Sequence, residues 1–111
     1  MVKNITDTDF RTELDSNENV AIKFYADWCG PCRRMSDLIK KILASDLATT
    51  MPDFTLININ RDHFLDLGKP FNITSIPTLV FLRNGKEIGR YDGGPLTEDT
   101  FAQLITKTFN R

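Results

Sequence analysis

Apolar residues recur along this chain in two rhythms, and the switches between them predict alternating strands and helices. Val20 through Ala26 is almost uninterrupted apolar sequence, broken at Lys23 and preceded by a polar turn at Ser16-Asn17. That pattern predicts a strand covered on both faces. From Met35 the apolar positions move to Leu38, Ile39, Ile42, Leu43 and Leu47, the spacing of an amphipathic helix. Arg33, Arg34, Asp37, Lys40 and Lys41 occupy the opposite face, which reads as a solvated surface with Asp37 and Lys41 one turn apart rather than as a docking patch. Phe54 to Ile59 predicts a second buried strand, and Arg61 to Leu67 a short helix stopped by Gly68 and Pro70.

Thr78 to Arg83 and Glu87 to Tyr91 predict two more strands, joined through Asn84-Gly85-Lys86, where Asn-Gly between apolar runs signals a hairpin. Thr97 is positioned to cap a last helix with Glu98 and Asp99 in its first turn and Phe101, Leu104, Ile105 and Phe109 along one face. At the start, Thr6-Asp7-Thr8-Asp9 reads as a capped helix entry with Thr6 at the N-cap, running to about Ser16-Asn17. A strand–helix–strand unit followed by a hairpin and a terminal helix implies an α/β fold, a central mixed β-sheet flanked by helices on both faces.

A chain of 111 residues with 41% hydrophobic content suits one domain over residues 1–111, with enough core to fold without crosslinks or metals. Fourteen basic against fifteen acidic residues leave a formal charge of −1, which gives no electrostatic footprint for nucleic acid or an anionic membrane. The expected partners are therefore proteins or small molecules. The first residues carry no apolar run of signal-peptide length, and no stretch approaches bilayer length, so the expectation is a cytoplasmic protein.

The chemistry concentrates in Phe24-Tyr25-Ala26-Asp27-Trp28-Cys29-Gly30-Pro31-Cys32, which holds both cysteines of the chain. A structural staple here would close a very short loop in a compartment that keeps thiols reduced. A structural zinc site needs about four ligands, and beyond this pair the chain offers only His63, which reads as a surface residue. No metal site is expected. A reactive dithiol is the reading these residues favour. Cys29 should fall at the N-terminus of the helix that follows, where unpaired N–H groups and the helix dipole stabilise a thiolate, making Cys29 the nucleophile. Pro31 fits a first helical turn, Gly30 leaves the approach open, and Cys32, about a turn deeper, suits a resolving thiol. No phosphate loop, nucleotide-binding glycine fingerprint or Ser/His/Asp set competes, so electrons must arrive from another protein.

Trp28-Cys29-Gly30-Pro31-Cys32, followed by Ile76-Pro77-Thr78, closely resembles the thioredoxin family, and the likeness covers essentially the whole chain. The resemblance implies a thioredoxin fold and a monomeric protein-disulfide reductase whose redox group is the Cys29–Cys32 pair, with no separate cofactor. It implies Pro77 as a cis-proline packed against the pair, and Trp28, Gly30, Pro31, Ile76 and Gly93 as an apolar surface for substrate proteins. The implied electron donor is a flavoprotein thioredoxin reductase drawing on NADPH; the implied targets are disulfide-containing proteins.

The chain departs from the family pattern in three ways. Lys23 stands where the family usually has a buried aspartate, and Leu56 where that aspartate's lysine partner is usual. Asp37 replaces a common helix proline, which should leave this helix less kinked. The Gly93-Gly94-Pro95 loop looks one residue longer than usual. Two readings of Lys23 stay open: an inward ammonium that favours thiolate and makes the pair more oxidising, or a stem packed in the sheet with its head reaching water. The first keeps a disulfide oxidase or isomerase in view; a non-redox binding module using the Trp28 and Pro77 surface is the rival of another class.

Overall fold

In the computed structural model, residues 2–6, 10–62 and 71–110 are described. Strand β1 spans Val2–Thr6, helix α1 Phe10–Ser16, β2 Asn19–Tyr25, α2 Gly30–Leu43, β3 Phe54–Asn60, β4 Thr78–Arg83, β5 Lys86–Tyr91 and α3 Glu98–Phe109, with a 3-10 turn at Asp46–Thr50. The strands form one five-stranded sheet in the order β1-β3-β2-β4-β5. β1 and β2 each lie parallel to β3, while β4 runs antiparallel to both β2 and β5, so the sheet is mixed, as the pattern predicted.

Two-sided burial explains the near-continuous apolar strands. One face presents Ala21, Leu56, Leu79 and Phe81 to Met35, Ile39 and Ile42 of α2 and to Phe101 and Ile105 of α3. The other presents Val20, Ile22, Phe24, Ile57, Val80 and Leu82, with Leu14 of α1 and the half-buried Phe71, Ile73 and Ile76 packed against them. Asn84 and Gly85 both take positive φ, 52° and 80°, as the tight turn between β4 and β5 requires. Thr97 Oγ1 accepts the Thr100 N–H at 3.1 Å while Thr100 Oγ1 accepts the Thr97 N–H at 2.8 Å, closing a reciprocal cap on α3. At the far end of α3, Arg83 donates to the Phe109 carbonyl.

The structure corrects three expectations. Thr6 is not a helix cap: it belongs to β1, paired in register with Asn58, and α1 begins only at Phe10. α2 itself starts at Gly30, with Cys29 as its cap and Pro31 in its first turn, as expected. It ends at Leu43, not Leu47: Ser45 Oγ donates to the Ile42 carbonyl at 2.7 Å and accepts the Leu47 N–H at 3.2 Å, turning the chain into the 3-10 segment. Lys41 meets Glu98 of α3 at 3.9 Å rather than pairing with Asp37. The helix expected over Arg61 to Leu67 begins as a turn at Arg61 and Asp62, and the rest of it, with His63, lies outside the described residues.

Candidate dithiol site

β2 delivers the chain to the cysteines at the end of the sheet. The Cys29 N–H closes a turn onto the Ala26 carbonyl at 3.2 Å, leaving Cys29 in extended geometry (φ −89°, ψ 107°) as the N-cap of α2. Its Sγ accepts the Cys32 N–H at 3.1 Å, the bond an N-cap side chain ordinarily provides with oxygen. A sulfur held against a helix N-terminus is a better anion than a free thiol, because the unpaired N–H groups and dipole favour negative charge. Cys29 and Cys32 are joined as a disulfide with Cα atoms 5.2 Å apart. Both are buried, in a small cluster with Ala26, packed against Tyr25 and Ile76.

The Ile76–Pro77 bond is cis, and the Ile76 carbonyl oxygen lies 4.0 Å from Cys29 Sγ. From this edge a groove of about 720 Å³ runs between α2 and the segment after β5. Pro31, Ile76, Pro77 and Gly93 all line it, with Met35 and Leu38 on the α2 side. Gly93 is pressed against the Tyr91 ring: a Cβ there would lie 3.2 Å from Tyr91 Cζ and Oη, and Tyr91 donates to the Gly94 carbonyl at 2.7 Å.

Trp28 and Gly30, the other two expected surface residues, do not line this groove. Trp28 is 64% exposed and is held from the opposite direction: its Nε1–H donates to Asp62 Oδ2 at 2.7 Å, and the Arg61 guanidinium stacks 5.9 Å from its ring. Gly30 lies in the first turn of α2, where an added Cβ would meet only the Arg34 side chain at 3.6 Å.

Lys23 points inward. It is 4% exposed, its Nζ donates to Ser36 Oγ, and it lies 5.5 Å from the Tyr25 ring, so its ammonium is turned into the fold, on the wall of a small open cavity. Burial first, then repulsion from Lys40, lower its pKa to about 8 against a smaller upward pull from Asp37. Ser36 sits one turn beyond Cys32 on α2, so the ammonium reaches the helix face that carries the deeper sulfur.

Ser36, Arg61 and Asp62 escaped the sequence reading. Helical spacing from Cys32 could have found Ser36; nothing local links Asp62 to Trp28, 34 residues away. Among the described residues, no group of three or more His, Cys, Asp or Glu is placed to hold a metal, and no helix is long and apolar enough to cross a membrane.

Comparison with known proteins gives the same architecture. The family described as Thioredoxin matches residues 1–107. Thioredoxin-1 of Drosophila yakuba is 34% identical over 92 residues, covering 83% of this chain and 82% of that protein. A probable protein disulfide-isomerase A6 of Medicago sativa is 30% identical over 94 residues, 85% of this chain; the match spans only 25% of that longer protein. Among solved structures, a mutant thioredoxin from Halobacterium salinarum superposes with a TM-score of 0.76 at 25% identity, over 96% of this chain and 89% of the other. The oxidised thioredoxin of Plasmodium falciparum gives 0.73 at 28% identity, over 96% and 97%. With residues 1–107 matched and the Cys29–Cys32 pair capable of closing a disulfide at a helix N-terminus, the chain belongs to the thioredoxin family, and its pair is suited to thiol–disulfide oxidoreductase chemistry.

Proposed function

We propose that this domain reduces disulfides in other proteins by reversible exchange through Cys29 and Cys32. The Cys29 thiolate attacks one sulfur of a substrate disulfide, the substrate S–S bond breaks, and the departing thiolate takes up a proton. Cys32 then loses its proton, and its sulfur attacks Cys29 Sγ, forming the Cys29–Cys32 bond and releasing the second substrate sulfur. That sulfur leaves as a thiolate and takes up the proton Cys32 gave up; counting the proton Cys29 released on becoming a thiolate, the substrate has gained two electrons and two protons and the pair has lost them. A flavoprotein thioredoxin reductase drawing on NADPH restores the dithiol, so the protein needs no prosthetic group. It works as a monomer in the cytoplasm.

The observation that carries this reading is the N-cap position of Cys29, whose sulfur accepts the Cys32 N–H while Cys32 lies beneath it. The groove lined by Pro31, Ile76, Pro77 and Gly93 supports the docking of an extended substrate segment beside Cys29, with Trp28 on the opposite side. Trapping tests it directly. Cys32→Ser should accumulate mixed disulfides through Cys29, and Cys29→Ser should lose both trapping and turnover. A protein that keeps its cellular activity as Cys29→Ser is instead a non-redox binding module.

A second reading, disulfide oxidase or isomerase, draws on the inward Lys23 ammonium, because stabilising the reduced form raises the reduction potential.

A further inference from the structure

Among the described residues, Lys23 is the only charged residue that is buried. The fold gives it a hydrogen-bond acceptor, Ser36 Oγ, but no carboxylate within ion-pair distance among the described residues. Repulsion from Lys40 outweighs the attraction of Asp37. Buried charges are ordinarily paired, since taking an ion out of water without a partner is costly. Among the described residues, this ammonium therefore has no counter-ion.

Beside it lies a cavity of about 180 Å³, lined by Lys23, Lys40, Ser36, Tyr25, Asn4 and Asn58 over the apolar side chains of Ile39 and Leu56. The volume exceeds that of a single water several-fold. Its donors outweigh its acceptors. An ammonium carries three N–H donors, and Ser36 engages one of those of Lys23; Lys40 brings three more, with no carboxylate on the wall. Asn4 Oδ1 already accepts from the Asn58 amide at 2.6 Å, and the Asn4 amide nitrogen adds further donors. The exposed Asn4 and Lys40 stand at the mouth and the buried Lys23 at the floor, so a small solute can enter while the positive charge stays inside.

We propose that this cavity is a binding site for a small inorganic anion, held between the Lys23 and Lys40 ammonium groups and the Ser36 hydroxyl, and supplying the counter-ion that the described residues do not. An anion that binds the folded state alone stabilises it by mass action. The groups facing Lys23 are Tyr25 on its own strand, Asn58 on β3, Asn4 on β1, and Ser36, Asp37 and Lys40 on α2. As pH rises through about 8, Lys23 gives up its proton and the site loses its central charge, so binding is present below that pH and fades above it.

The test uses the oxidised protein, so that no cysteine thiolate titrates. Thermal unfolding at neutral pH is compared in sodium bromide and in sodium gluconate, whose anion is too bulky for the cavity, at equal ionic strength. Bromide at about 0.1 M should raise the wild-type midpoint by about 4 °C over gluconate, less in Lys40→Gln, and not at all in Lys23→Met. The wild-type difference should vanish well above pH 8. An equal bromide effect in Lys23→Met, or none in the wild type, overturns the proposal. Wild-type crystals soaked in bromide give an arm that needs no variant: an anomalous peak between Lys23 and Lys40 is expected, and its absence while other bromide sites fill contradicts the site.

Discussion

The Trp28 indole N–H donates to Asp62 Oδ2 at 2.7 Å, tying the most exposed aromatic of the dithiol site to the end of β3. Asp62 is itself fixed, since its own N–H donates to Asn60 Oδ1 at 3.0 Å, and the Arg61 N–H holds the Tyr25 carbonyl at 2.8 Å. The tryptophan is thus presented in one orientation instead of sampling several, which lowers the ordering cost when a substrate protein docks.

Asp62→Ala releases that latch. Re-ordering one side chain costs about 0.5–1.5 kcal/mol, so kcat/KM toward a protein disulfide should fall roughly 2- to 10-fold. Turnover of a small-molecule disulfide, which needs no docking surface, should change little, and Trp28 fluorescence should shift. Equal losses on both substrates would place the effect at the sulfurs instead.

Gly93 has a steric reason to be glycine. In Gly93→Ala the new Cβ lies 3.2 Å from the Tyr91 ring, so Tyr91 must yield, and its bond to the Gly94 carbonyl with it. Overpacking of this kind costs on the order of 1 kcal/mol at a partly exposed site. The expected outcome is a loss of a few degrees in thermal midpoint and a weaker KM for protein substrates with kcat nearly unchanged, read from steady-state kinetics.

The strand containing Lys23 was legible because burial on both faces leaves an almost unbroken apolar run, and the hairpin because Asn84 and Gly85 tolerate positive φ. β1 was not. It is a five-residue edge strand held by its ladder with β3, a long-range pairing without local signature, and the Thr6-to-Asp9 stretch mimics a helix cap. The start of α2 was legible from Cys29 and Pro31 and not from the apolar rhythm, which Gly30 and Pro31 interrupt although both fit a first turn. At the site, nine consecutive residues announced the chemistry. Its supports, Ser36 beneath Lys23 and Asp62 behind Trp28, are tertiary pairings that no motif carries.

Lys23 makes stability pH-dependent in a direction fixed by its lowered pKa. The folded protein releases this proton near pH 8 and the unfolded chain near the ordinary 10.5, so the penalty for burying the charge is fully present below 8. It is relieved as pH climbs from 8 to 10.5, where the unfolded state binds more protons. At about 1.4 kcal/mol per pH unit the gain is on the order of 3 kcal/mol. Denaturant unfolding of oxidised wild type and Lys23→Met in gluconate buffer should show the wild type gaining on the variant across that window. Parallel pH profiles would contradict an inward, charged Lys23.

The same substitution bears on the dithiol. Ser36 links the Lys23 ammonium to the helix face one turn from Cys32, so removing the charge should destabilise thiolate there. Lys23→Met should raise the thiolate pKa by up to about one unit, followed by ultraviolet absorbance, and lower the reduction potential by roughly 10–30 mV. An unchanged thiolate pKa removes Lys23 from the redox chemistry.

The most direct measurement is the equilibrium reduction potential of the Cys29–Cys32 pair, followed through the fluorescence of the neighbouring Trp28 in thiol buffers of graded poise. A protein-disulfide reductant should give a value below about −230 mV, even with Lys23 stabilising the reduced form. A value of about −180 mV or higher would contradict that account and make the protein a disulfide oxidase or isomerase.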